Sequence, residues 1–249
     1  MSLPALFGDA DSWFGCYVKG ADYREARGGF IAVHVPTFNL PAFRVWKGYE
    51  QHCPSFPAGF LICKGAGICV KGCFARGGNF NRIRVRVQPK LHKCLEFTLS
   101  KAFVPTIVAH LRGRAHYCRV HSSGDFYNPT YLRKWYEIAD RLPYLQFWGY
   151  TKCISMAIDN EKLRPGNFNL VYSEGGKEDS RLQEDDRVAR VFPRGTTREQ
   201  VEAAGWTWCM DDDCYPICEA KTARVGLVDH GQGVEAPFSS MTHITGGYR

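Results

Sequence analysis

The chain has 249 residues, of which 45% are apolar and 14% aromatic, a composition typical of a folded globular protein. It excludes an intrinsically disordered tail. The net charge of +7 permits contact with nucleic acid or an acidic substrate without requiring it. No apolar run reaches the roughly eighteen residues that a membrane span needs, so we expect no membrane partner. We predict one domain over residues 1–249.

The cysteine content indicates a reducing compartment. Eleven cysteines are an odd number, so a framework made only of disulfides would leave one thiol over. The first residues lack the basic start and apolar core of a signal peptide. We therefore expect a cytosolic protein, in which closely spaced thiols bind metal more often than they pair.

The first third of the chain predicts strands around a cysteine-rich loop. A strand is expected at Phe30–Val35, followed by a region rich in proline and glycine. The strict alternation at Arg82–Val87 predicts a second strand with one basic face. That face has two interpretations, a solvated surface or a contact with nucleic acid.

From residue 97 onward the pattern alternates between helices and strands. A helical stretch comes first, in which Pro105 either kinks the helix or starts a second one. A strand at Tyr117–His121 precedes an amphipathic helix at Pro129–Leu142, which Asn128 can cap. Three more strands and a short helix follow, at Leu145–Tyr150, Phe168–Ser173, Arg187–Phe192 and Thr197–Ala204.

Repeated β–α units predict an α/β fold with a parallel sheet, because parallel neighbours need crossover helices. We expect a single domain with a complete or partial TIM-like barrel, and a doubly wound sheet is the alternative. Its parts would be the N-terminal strands and first cysteine loop, the repeated β–α units, and a cysteine-rich C-terminal segment, at residues 1–90, 97–205 and 206–249.

Polar residues follow the apolar runs of three predicted strands, where the active sites of such folds lie. His121 and Asp125 are the catalytic candidates, because an imidazole and a carboxylate can act as an acid–base pair. The alternative is a helix cap formed by Asp125 and Ser123 beside a core histidine. The candidates for substrate binding are Ser123, Lys152, Ser173 and Glu174. The Gly-Gly loop after Ser173 is either a cradle for an anionic group or a plain surface loop.

The strongest chemical signal is a group of three cysteines with the spacing C-x5-C-x3-C, at Cys63, Cys69 and Cys73. Glycines lie between them and let the backbone turn tightly. Three thiols without a neighbouring histidine fit a 4Fe-4S cluster better than zinc. Cys53 is a candidate fourth ligand.

A second group, Cys209, Cys214 and Cys218, is also a candidate metal site. Asp211–Asp213 lie inside it and would oppose a thiolate cluster unless their carboxylates point outward. The spacing leaves open whether the two groups share one site or hold two clusters. The four scattered cysteines are interpreted as small buried apolar residues, at Cys16, Cys94, Cys118 and Cys153.

Several motifs in order resemble the gene product 88 family of bacteriophages. They are TFNLPA, CKGAGICVKGCFARGG, RVHSSGDFYNPTYLRKW, FWGYTK and YSEGGKED, followed by the terminal cysteines, and together they cover roughly residues 35–220. The resemblance implies a phage-encoded iron–sulfur protein in the cytoplasm of the infected bacterial host. The layout is also similar, more distantly, to radical S-adenosylmethionine barrels, although their usual C-x3-C-x2-C spacing differs from the spacing here.

Three functions follow from these observations. The first is an iron–sulfur protein of unknown reaction, and the second is a cluster-dependent enzyme that acts on a host or phage molecule with S-adenosylmethionine. The third is a zinc module that binds nucleic acid or a host protein. Small anionic substrates and host proteins are the partner classes that the residues permit.

Overall fold

The computed structural model describes residues 14–17, 35–76, 84–113, 117–209 and 224–229, and every structural statement below concerns these residues. Their strands form one sheet. In chain order the strands are β1 (Phe14–Tyr17), β2 (Val35–Phe38), β3 (Tyr117–Val120), β4 (Gln146–Thr151), β5 (Phe168–Ser173), β6 (Val188–Phe192), β7 (Thr207–Trp208) and β8 (Arg224–Val228).

The sheet is almost entirely parallel. Its order is β1-β2-β3-β4-β5-β6-β8-β7, and only β1 runs antiparallel to its neighbour. The predicted mixed α/β class is thereby confirmed. A TIM-like barrel is not confirmed, because among the described strands the sheet is not closed and β1 and β7 form its two edges.

Five α-helices lie in the described ranges. They are α1 (Arg84–Phe97), α2 (Phe103–Leu111), α3 (Pro129–Arg141), α4 (Ile154–Asp159) and α5 (Arg198–Ala203). Short 3-10 turns at Ile68–Val70 and Phe74–Arg76 shape the first cysteine loop. None of the described helices is long and apolar enough to cross a membrane.

The prediction of a strand at Arg82–Val87 was wrong, because residues 84–97 form helix α1. The alternation of arginine and valine is too short to decide between the two structures. Beyond it, Leu91, Cys94 and Leu95 recur with helical spacing and are all buried. The basic strand face is therefore absent from residues 84–87, and residues 82–83 lie outside the described ranges.

Two of the other helices, α2 and α3, agree with signals in the sequence. Pro105 is the third residue of α2, which is a separate helix from α1, so the second interpretation of this proline was correct. Asn128 caps α3 because its Oδ1 accepts a hydrogen bond from the Tyr131 N–H at 2.7 Å, with Pro129 in the first turn. The strand predicted at Phe30–Val35 meets β2 only at its last residue, and residues 30–34 lie outside the described ranges.

The sheet buries apolar side chains on both faces. Alternate residues of β3, β4 and β5 pack against α2 and α3 in the larger core, where the rings of Phe38, Phe103 and Trp135 make edge-to-face contacts at 5.4–5.8 Å. The opposite face carries a smaller cluster of Trp148, Val171, Ala189, Val225 and Cys209. A sheet covered on both faces leaves its ends for function, and in parallel sheets function lies at the carboxyl end.

Candidate functional site

Residues 63–73, called the cysteine loop from here on, lie against the carboxyl ends of β4 and β5. Ala66 pairs with Gly176 in an antiparallel bridge. The Gly65 carbonyl accepts a hydrogen bond from the Lys177 N–H at 2.8 Å, and the Cys69 N–H donates to the Gly175 carbonyl at 3.4 Å. The backbone itself therefore holds the first cysteine group at the edge where the sequence predicted function.

Two glycines make this contact possible. A Cβ at Gly65 would lie 1.8 Å from the Lys152 carbonyl oxygen, and one at Gly67 would lie 2.9 Å from the Gly176 carbonyl carbon. No side chain fits at such distances, so only glycine lets the two backbones meet. The glycines between the cysteines therefore let the cysteine loop pack on the end of the sheet, and they also let its backbone turn tightly.

The thiols of the cysteine loop interact with one another. Burial raises the pKa of Cys63 well above its usual value, and the charges of Asp125, Cys73 and Cys153 raise it further. Burial also raises the pKa of Cys73, with a contribution from Cys69. The thiols of Cys63 and Cys73 are therefore protonated at neutral pH in the metal-free protein.

These thiols are not arranged as a finished coordination group. In the described ranges no set of three or more His, Cys, Asp or Glu side chains is placed so that it could hold a metal ion. A metal at the cysteine loop would therefore require its sulfur atoms to move together.

Asp125 joins the ends of β3 and β4. Its carboxylate accepts hydrogen bonds from the Phe126 N–H at 2.7 Å, the Thr151 hydroxyl at 2.7 Å and the Lys152 N–H at 3.0 Å. Burial raises the pKa of Asp125 to about 6, and these three hydrogen bonds oppose that rise. The Cys153 Sγ lies 4.0 Å from its Oδ2.

The structure does not bring His121 and Asp125 together as an acid–base pair. The His121 Nε2 hydrogen-bonds with the Tyr131 hydroxyl at 2.8 Å, and its ring lies 4.7 Å from that of Phe126. Burial lowers the pKa of His121 to about 3, so the imidazole is neutral. This is the core histidine of the alternative interpretation. The helix cap of that alternative is wrong, since Asn128 caps α3.

The predicted substrate-binding residues after β4 and β5 do meet. The Lys152 Nζ donates to the Ser173 Oγ at 2.8 Å and to the Glu174 carbonyl at 2.5 Å. The Glu174 carboxylate forms a bidentate ion pair with Arg190, whose guanidinium lies 4.5 Å from the Trp206 ring centroid. Ser123 is separate from them, and its hydroxyl donates to the Leu40 carbonyl at 2.8 Å.

The backbone N–H groups of the Gly-Gly loop already bind a carboxylate of this chain. The Asp179 carboxylate accepts the Gly175 N–H at 2.8 Å and the Gly176 N–H at 2.9 Å. An external phosphate or carboxylate would have to displace Asp179, so the loop supports the docking of the cysteine loop instead of an open anion cradle.

The other described cysteines that the sequence predicted as ligands, Cys53 and Cys209, lie in two different environments. Cys53 is buried in the larger core with Sγ 3.9 Å from the Tyr49 carbonyl oxygen, and its charged neighbours are Glu50 and Glu96. Cys209 follows β7 and packs in the smaller cluster. Cys214 and Cys218 lie outside the described ranges, so the second cysteine group stays a prediction.

Sequence reasoning overlooked Cys153. It follows β4 by two residues and lies at the same edge as Asp125 and Lys152, yet we had interpreted it as a small apolar residue. Its position just past a strand end was the signal that could have identified it. The structure shows its thiol interacting with Cys63 and with the backbone of the cysteine loop.

The fold and this edge define a mainly parallel α/β protein with a cysteine-bearing loop docked on the carboxyl ends of its central strands. Residues 20–239 match the model of the family described as Gene product 88, so the chain belongs to that family, as the motifs predicted. It is similar to the Gene 88 proteins of Mycobacterium phage L5 and Mycobacterium phage D29, with 27% and 24% identity over 127 residues.

These alignments cover 46% of this chain and 52% of each relative, so the chain spans about half the length of the curated relatives it matches. No solved structure matches the chain. The family membership therefore rests on sequence, while the geometry of the edge comes from the fold described above.

Proposed function

We propose that this protein is an iron–sulfur protein that holds a cluster, of the 4Fe-4S type, with Cys63, Cys69 and Cys73. The observation that carries the proposal is the docking of the cysteine loop on the ends of β4 and β5 by backbone hydrogen bonds. Three thiols are thereby placed at the edge of the sheet where parallel α/β proteins bind ligands.

The donor set suits a cluster chemically. Thiolates are the usual ligands of iron–sulfur clusters, and hydrogen bonds from the backbone to the sulfur atoms stabilise the bound state. Backbone hydrogen bonds at Phe43 lower the pKa of Cys63, and those at Ala75 and Arg76 lower that of Cys73. Burial has the opposite and larger effect, so metal binding must release protons.

Metal binding should therefore order the loop. Because the thiols are not closed into a group without metal, part of the binding free energy would draw Cys69 and Cys73 toward Cys63. The glycine contacts beneath the loop keep its base fixed while this happens. A bound cluster would supply one-electron transfer or, with an iron free of protein ligands, a position for a small molecule.

We also propose that the open sheet of the described residues is a partial β/α barrel. Strands β2 to β6 neighbour one another in chain order, as in a barrel, whereas a doubly wound sheet reverses its order at a switch point. Similarity to phage proteins supports action in the cytoplasm of an infected bacterium. A host protein and a small anionic substrate are the partner classes that we propose.

The test is the content of iron, acid-labile sulfide and zinc per chain in anaerobically purified protein, with its visible spectrum. We expect iron and sulfide in near-equal amounts with broad absorption, and a loss of both in Cys69→Ala. Cys118→Ala is the matched control, because Cys118 is buried in the larger core. Zinc without sulfide would overturn the proposal in favour of the zinc module, although residues 84–87 of its basic strand are helical.

A further inference from the structure

We infer that Cys153 is the fourth thiol ligand of the site, completing the set begun by Cys63, Cys69 and Cys73. The inference rests on the proposed function and makes it more specific. It concerns a residue from the loop after β4, far from the cysteine loop in sequence and joined to it by the fold.

The backbone of the cysteine loop packs directly on the peptide that leads into Cys153. A Cβ at Gly65 would lie 1.8 Å from the Lys152 carbonyl oxygen and 2.8 Å from the Cys153 nitrogen. The Cys153 N–H donates to the Thr151 hydroxyl at 3.0 Å, which fixes the start of its side chain. The position of Cys153 relative to Cys63 is therefore set by contacts that cannot loosen without undocking the loop.

The surroundings of the Cys153 sulfur are those of a ligand. The thiol is buried, interacts electrostatically with Cys63, and hydrogen-bonds with the backbone at Gly65 and Lys64. Backbone N–H groups directed at sulfur are a regular feature of cluster sites. An apolar residue would leave these backbone groups without the sulfur acceptor.

Asp125 orients the Cys153 thiol. Its Oδ2 lies 4.0 Å from the Cys153 Sγ, and its three hydrogen bonds hold it there. The Cys153 thiol can donate to this oxygen, so its sulfur is held at the edge of the sheet beside the cysteine loop.

The other candidates for a fourth ligand are less well placed. The Cys53 thiol lies in the larger core beside the Tyr49 carbonyl, with Glu50 and Glu96 as its charged neighbours. Cys209 follows β7, which is separated from β5 by β6 and β8. At about 4.8 Å per strand this is roughly 14 Å along a flat sheet.

Four protein thiols would leave no iron open to S-adenosylmethionine. The cluster would then serve electron transfer or structure, and the radical-enzyme alternative would require Cys153 to be displaced. This consequence gives the inference a spectroscopic test that does not depend on knowing any reaction.

The experiment compares wild type, Cys153→Ala and the control Cys118→Ala after anaerobic purification. The measurements are iron and sulfide content and the electron paramagnetic resonance spectrum of the reduced protein, with and without S-adenosylmethionine. We expect about four irons in wild type and in the control, with spectra that S-adenosylmethionine does not change. In Cys153→Ala we expect either a fall to about three irons or a spectrum that responds to S-adenosylmethionine.

Unchanged iron content and spectrum in Cys153→Ala would overturn the inference and leave the proposed function standing. Wild type without iron and sulfide would overturn both. Circular dichroism checks that the variants fold, and Cys153→Ser is a second variant. If neither folds, the Mössbauer spectrum of wild type decides: four equivalent thiolate-bound irons support the inference, and one distinct iron overturns it.

Discussion

Gly65 and Lys152 approach each other so closely that a Cβ at position 65 would lie 1.8 Å from the Lys152 carbonyl oxygen. The contact joins the cysteine loop to the end of β4 through main-chain atoms alone. It also sets the separation of Cys63 and Cys153, each of which lies one or two residues away from the contact. The candidate site therefore depends on a residue without a side chain.

Gly65→Ala should undock the cysteine loop. The added methyl group cannot fit against a backbone carbonyl, so we expect the free energy of unfolding to fall by about 2–3 kcal/mol, the upper range for overpacking. Metal content should fall with it. Gly166→Ala is the control, because nothing lies within 4 Å of a Cβ at that position. Urea denaturation measures both variants, and an equal effect of the two substitutions would contradict the docking argument.

The buried imidazole of His121 predicts a dependence of stability on pH. Burial lowers its pKa to about 3 in the folded protein, while an unfolded histidine titrates near 6.5. Between these values the unfolded chain binds the extra proton, so His121 contributes full stability above about pH 6.5 and loses it as the pH falls toward about 3. The contribution of His121 alone therefore makes the folded protein less stable on acidification, whereas the raised pKa of Asp125 acts in the opposite direction below about pH 6.

His121→Asn isolates this contribution, since asparagine tolerates the backbone φ of 66° at this position. We expect the difference in unfolding free energy between wild type and variant to grow by about 1.4 kcal/mol per pH unit from pH 5 to pH 6. Urea denaturation at several pH values measures it. A difference that stays constant with pH would show that His121 titrates normally in the folded state.

Local signals predicted most of the elements correctly. Helix α3 carries its own cap at Asn128 and a continuous apolar stripe, and β5 is a run of six residues with no competing pattern. Helix α1 was not predicted, because its first residues alternate like a strand. The helical spacing of Leu91 and Leu95, and the burial of both side chains, agree with the helix that this segment forms. The β–α alternation implied a parallel sheet, but the strand order and the openness of the sheet depend on long-range packing.

The candidate site was predicted in part for the same reason. The spacing of Cys63, Cys69 and Cys73 is local, so the sequence displays it. The position of Cys153 just past β4 was visible in the sequence, but its contact with the cysteine loop arises only when that distant loop docks beside it. His121 and Asp125 are close in sequence, yet different hydrogen-bond partners separate their side chains.

The ion pair between Arg190 and Glu174 should be worth more than a surface pair. The Glu174 side chain is 8% exposed and that of Arg190 is 33% exposed, so Arg190→Met would leave a buried carboxylate without its guanidinium. We expect a loss of about 2 kcal/mol in unfolding free energy, which allows for the exposure of Arg190. Arg198→Ala, in an exposed pair with Glu202, should cost less than about 0.5 kcal/mol. Thermal denaturation compares them, and equal losses would contradict the prediction.

Removing the metal should lower the melting temperature of the protein, and Cys69→Ala should have the same effect as removing the metal. This residue lies at the outer part of the cysteine loop and is only half-buried, so Cys69→Ala removes little packing from the metal-free chain. A bound cluster, in contrast, would stabilise the folded state by its binding free energy. We expect metal-free wild type and Cys69→Ala to melt at similar temperatures, and metal-loaded wild type to melt well above both. Differential scanning calorimetry under anaerobic conditions, before and after chelation, makes the comparison. If chelation leaves the melting temperature of the metal-loaded protein unchanged, the cysteine loop does not couple metal binding to folding.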